Sequence, residues 1–174
     1  MKAANKIILF VFVSLVLVAF RLWHPVFNFS PVAAAALFAG SFFGFRIFGP
    51  LALFGLLFLT DAALGFYPGM AWVYLGFGLS YLLGALWVRR DIPLIPYFSC
   101  ALGSALLFFF LSNWGVWMTE LLYPKTLEGL IGCYTAGIPF FLRSLSGDLF
   151  FASLFFLAHR LCLRAQFLRR SEIS

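Results

Sequence analysis

The sequence predicts an all-α integral membrane protein: a compact bundle of six transmembrane helices, with a short broken or re-entrant helical segment before the last span. Three observations predict it. Hydrophobic residues make up 64% of the 174 residues and charged residues 10%, against about 45–50% and about 25% in a soluble domain. A water-facing globule of this length needs far more polar surface than that. Apolar runs recur near the roughly 17–25 residues that cross a bilayer core, and backbone groups in lipid must be paired within their own segment, which makes each run a helix. The basic residues, finally, gather at alternate run ends.

The chain reads as one transmembrane domain, residues 1–174, and the spans follow in order. The first covers about residues 7–23. Met1-Lys2 through Lys6 followed by an apolar run has the outline of a signal peptide. The run instead ends in Arg21-Leu-Trp-His-Pro25 without a small-residue cleavage site, so it reads as a retained helix. The second span, 31–45, is short and alanine-rich. The third is 47–66, the fourth 70–88 and the fifth 94–113. Residues 126–142 are apolar but hold Gly129, Gly132, Gly137 and Pro139, and read as a half-inserted or interfacial segment. The last span is 145–163.

With a cytoplasmic N-terminus, Lys2, Lys6, Arg46, Arg89, Arg90, Arg160, Arg164, Arg169 and Arg170 fall inside, nine of the twelve Lys and Arg residues. This is the positive-inside pattern, and an odd number of spans would break it. The expected location is a bacterial inner membrane with both termini cytoplasmic. The net charge of +6 follows span ends and an arginine cluster at 160–170, a topology and anionic-lipid signal rather than a nucleic-acid footprint. Cys100, Cys133 and Cys162 have no metal-ligand spacing, and His24 and His159 are far apart in sequence, so neither a metal nor a cofactor is expected. No HExxH, GxSxG or phosphate-binding loop is present, and no catalytic residue is assigned.

Polar and aromatic side chains concentrate toward the outer ends. Asn113-Trp114-Gly-Val-Trp117 places an Asn and two Trp on one helical face, suited to a pocket or to an interfacial aromatic belt. Asp61 lies within the third span, where an ionisable group costs about 2.5–3.5 kcal/mol at the centre. Arg143 is its natural partner, with Asp148 as a rival for that arginine. The pair is either a structural tie or a functional site. Thr126 is placed to cap the helix that follows it, with Glu128 in its first turn. Cys133, one turn on, reads as an apolar packing residue. Ala35 and Ala39, and Ala36 and Gly40, repeat at four-residue spacing and permit close helix approach, within the chain or across a subunit boundary.

Several strings together carry a resemblance: Asn28-Phe-Ser-Pro-Val32, Asp61-Ala-Ala-Leu-Gly65, Trp72-Val-Tyr74, Asn113-Trp-Gly-Val-Trp117, Tyr123-Pro-Lys-Thr126, Gly129-Leu-Ile-Gly-Cys-Tyr134, Ile138-Pro-Phe-Phe141 and Gly147-Asp-Leu-Phe150. In this order they resemble an uncharacterised family of small bacterial membrane proteins, a domain of unknown function. In size and layout that family is similar to the S components of energy-coupling-factor vitamin transporters. That likeness implies an outward pocket for a small molecule such as cobalamin, riboflavin or a queuosine precursor. It also implies docking to a transmembrane coupling subunit with ATPases through Ala35, Ala39 and Gly40. The ligand-binding residues expected are Asp61, Asn113, Trp114, Trp117, Tyr134 and Arg143. Two alternatives stand beside this reading. One is a membrane enzyme using Asp61, Asp148 or Glu120 on a lipid-linked substrate. The other is an assembly or scaffold subunit with an exposed small-residue stripe and no cavity.

Overall fold

A computed structural model describes residues 3–23, 27–88 and 93–171, with side chains from residue 7 to 165. The basic residues Lys2, Arg89 and Arg90, and the side chains of Lys6, Arg169 and Arg170, lie outside that description. The described residues form six helices: α1 (Ala3–Trp23), α2 (Val32–Phe43), α3 (Phe48–Leu64), α4 (Met70–Trp87), α5 (Leu94–Thr119) and α6 (Leu127–Ser171). Among the described residues there is no strand. Met70–Trp87, Leu94–Thr119 and Leu127–Ala165 are long and apolar enough to cross a membrane, while Ile7–Trp23, Val32–Phe43 and Phe48–Leu64 are shorter apolar helices.

Two elements depart most from the sequence reading. The second span, expected at 31–45, is a helix of 12 residues, about 18 Å long at 1.5 Å per residue. Residues 32–38 and Gly40 are all buried, so it is a core helix enclosed by the others rather than a lipid-facing span. Its alanines make it thin enough to be enclosed. The second departure is larger. The half-inserted segment 126–142 and the span 145–163 are one continuous α6 of 45 residues, with Pro139 inside it. Proline and glycine break helices in water. In an apolar setting the remaining backbone groups have no better partner than their own helix, and such residues are tolerated. Thr126 starts α6 as expected, with its Oγ accepting from Gly129 N–H at 3.2 Å and Glu128 in the first turn. α5 also runs past its expected end at Asn113, to Thr119.

The core lies around α2. Gly40 sits against the backbone of Tyr81 and Ala85, and Gly84 against that of Leu37 and Ser41; a Cβ on either glycine would overlap a backbone carbonyl of the other helix. α2 and α4 therefore pack backbone to backbone, the close approach that small residues permit. Leu17, Leu37, Leu57, Phe151 and Phe155 fill the space around them and are essentially inaccessible. α5 and α6 run antiparallel along each other. Tyr97 donates to Ala152 C=O at 3.1 Å near the start of α5, and Tyr134 donates to Phe110 C=O at 2.7 Å nearer its end.

Candidate functional site

A cleft of about 300 Å³ opens between α5, α6 and the segment preceding α2. α5 contributes Ala105, Phe108, Phe109, Ser112, Asn113 and Val116, and α6 contributes Gly137, Phe140, Phe141 and Ser144. Both sets repeat at three- and four-residue steps, so each is one face of its helix. Phe27 and Asn28 form the third wall. Asn28 adopts φ 59°, a left-handed conformation that asparagine tolerates better than most residues.

The hydrogen-bonding capacity of this cleft is only partly used. Asn113 donates one amide hydrogen to Phe109 C=O at 2.8 Å, and Ser112 Oγ donates to Phe108 C=O at 2.7 Å. The Asn113 carbonyl oxygen lies where a Cβ on residue 137 would have to go, so Gly137 is what gives this side chain its room. Asn113 retains an acceptor and a second donor hydrogen. The Asn28 side chain makes no hydrogen bond among the described residues. Five phenylalanines supply the apolar and aromatic surface, and among the described residues no charged side chain lines the cleft.

A second polar cluster is closed. Asp61, on α3, is 1% exposed, forms an ion pair with Arg21 of α1 and accepts a hydrogen bond from Tyr74 Oη of α4 at 2.7 Å. Three helices are thereby tied at one point. Within this cluster Arg21 Nε is left buried without a partner. Tyr67, in the loop after α3, feels the same pair. Burial raises its phenol above the ordinary value, Asp61 adds to the rise, and Arg21 opposes it. Asp148 is a third polar group inside the bundle, 5% exposed. The backbone N–H of Ala34 reaches its carboxyl, in the first turn of α2, where negative charge is favourable.

The residues expected to share one site are thus divided. Of the six ligand-binding candidates, Asn113 lines the cleft. Asp61 belongs to the closed cluster, and its partner is Arg21 rather than Arg143. Arg143 lies exposed on α6. Trp114 and Trp117 pack against each other with tilted rings, centroids 5.2 Å apart, at the α5–α6 hairpin. Trp117 Nε1 donates to Pro124 C=O at 2.9 Å, and Lys125 stands 5.5 Å over its ring. Tyr134 packs against Phe109 and Phe110 without lining the cleft. Ala35 and Gly40, expected to meet a partner subunit, are buried in the chain's own core, and Ala39 is half-buried. Gly40 is covered by α4, while Ala35 and Ala39 face α1 and α3 across a small gap. Asp61 and Asp148 are each engaged within the bundle, and neither lines the cleft with Asn113.

Sequence reasoning missed Asn28, Ser112, Ser144 and the phenylalanines. A usable signal was present: Phe108-Phe109…Ser112-Asn113 and Phe140-Phe141…Ser144 repeat the same spacing on neighbouring helices. No curated protein and no solved structure matches the chain. Residues 1–170 match the family model described as "Family of unknown function (DUF6580)", and the chain belongs to that family.

Proposed function

We propose that the protein binds a small, uncharged, largely aromatic solute in the α5–α6 cleft and serves its uptake across a bacterial inner membrane. The observation that carries this reading is the combination of phenylalanine walls with unspent amide groups at Asn113 and Asn28. Pockets for small molecules are mainly apolar, with a few polar groups that fix orientation, and begin at about 300 Å³. A ring system would lie against Phe108, Phe109, Phe140 and Phe141, and Asn113 would take its one or two polar edges. Strongly ionic solutes are disfavoured, because the charged pair Arg21–Asp61 is sealed away from the cleft. The topology that goes with this reading has six passes and both termini in the cytoplasm. The second pass is α2 extended by the flanking residues 27–31 and 44–45. Any coupling to ATP hydrolysis would come from a partner, meeting the protein elsewhere than Ala35 and Gly40.

The test is ligand retention. The purified full chain is examined by native mass spectrometry for a co-purifying small molecule, then by thermal shift against a panel of neutral aromatic vitamins and nucleobases. Binding is expected to fall at least about fivefold in Asn113→Ala, since an unpaired polar group on a ligand costs about 1–3 kcal/mol, and to vanish in Ser144→Trp, which fills the cleft. A ligand whose affinity is unchanged in both variants would place its site elsewhere.

A further inference from the structure

Sharing no residue with the cleft, a second space of about 320 Å³ is lined by Ile7, Phe10, Phe42, Phe43, Phe48 and Ala52 and, among the described residues, by one cation, Arg46. It continues inward as a much smaller gap of about 20 Å³ that shares Phe10, Phe42 and Phe43 and is bounded by Leu17 and Leu53. The groove is thus apolar along its length and charged at one point. Arg46 lies in the turn between α2 and α3, which places it at an end of the bundle. The guanidinium is exposed, and among the described residues no acidic group pairs with it. Its neighbours Phe45, Ile47 and Phe48 are 71%, 64% and 74% exposed. Three exposed bulky apolar side chains flanking Arg46 are unfavourable in water and suit the acyl boundary of a bilayer. The N-terminus of α3 adds its own partial positive charge beside Arg46. Charge and apolar surface are therefore arranged as in an amphiphile of the opposite sign.

We propose that this groove is a binding site for an anionic glycerophospholipid of the surrounding bilayer. Its phosphate meets Arg46, and one acyl chain lies along Phe10, Phe42, Phe43 and Ala52. The site is independent of the solute cleft, so either can fail without the other. The small inner gap marks where the chain stops, at the wall formed by Leu17 and Leu53.

Lipid retention by the delipidated full-length protein, in micelles doped with phosphatidylglycerol or phosphatidylcholine, is read by native mass spectrometry. The wild type is expected to prefer phosphatidylglycerol about fivefold, the factor that one basic residue contributes at an anionic surface. Arg46→Gln should bring the ratio to about one, Arg46→Lys should keep most of it, and Ala52→Phe should reduce retention of both lipids. Equal retention of the two lipids by the wild type would overturn the proposal, as would an undiminished preference in Arg46→Gln. Competition by inorganic phosphate alone would overturn the lipid assignment in favour of a soluble anion.

Discussion

Two polar regions sit among these helices, and they are built on opposite terms. Around Asp61 the groups are matched to one another: a carboxylate, a guanidinium and a phenol from three helices converge. Around Asn113 the polar groups turn mostly to their own helices and leave capacity facing an open space. Ionisable residues in a membrane segment are functional candidates by default, and by that rule Asp61 would be the site. The difference between the regions argues the reverse. Charge here is consumed in holding α1, α3 and α4 together, while the neutral amide beside a glycine retains something to offer a ligand.

The sharpest way to break this contrast is to remove one half of the ion pair. Asp61→Ala leaves Arg21 buried and unpaired, and is expected to cost about 3–5 kcal/mol, read as a loss of thermal stability in detergent and of monodisperse yield. The double variant Arg21→Leu, Asp61→Leu should recover most of that loss, because well-packed apolar replacements of a buried pair are commonly neutral. If the pair is instead a functional site, the double variant will be stable but will no longer bind the cleft's ligand. Tyr74→Phe comes next, removing one hydrogen bond to a charged acceptor, at about 1.5–3 kcal/mol in chemical unfolding. The smallest stability effect is expected at Gly137→Ala. The added methyl meets the end of the Asn113 side chain, which can rotate aside, so the cost should stay near 1 kcal/mol. Ligand affinity should nevertheless fall, since the amide is turned out of position. A stable Gly137→Ala protein with unchanged binding would remove Asn113 from the site.

Much of the helix layout was legible because hydropathy and turn residues report it directly. α3 and α4 lie within two residues of their expected bounds at each end. The continuity of α6 was not legible, since Gly129, Gly132, Gly137 and Pro139 carry breaker propensities measured in water. Nor was the burial of α2, because an alanine-rich helix has the same composition whether its neighbours belong to the same chain or to another. The true partner of Asp61 was closer to hand. Arg21 lies two residues before the end of α1 and Asp61 three before the end of α3, a match in depth that sequence distance from Arg143 obscured. The cleft was least legible. It needs three segments to face one another, and only the repeat of paired phenylalanines followed by a serine hinted at two of them.

The unbroken α6 joins regions that two separate segments would have kept apart. At about 1.5 Å per residue it is about 68 Å long, more than twice the roughly 30 Å of a hydrocarbon core. On this one element lie the cleft wall at Phe140 and Phe141, the carboxyl of Asp148 at the head of α2, the core residues Phe151 and Phe155, and then the basic end from Arg160 onward. Pro139 cannot donate to the Thr135 carbonyl, so the helix lacks one backbone hydrogen bond directly beside the cleft. A solute held against Phe140 would therefore press on α6 just past Pro139, on the side that runs on to the arginines.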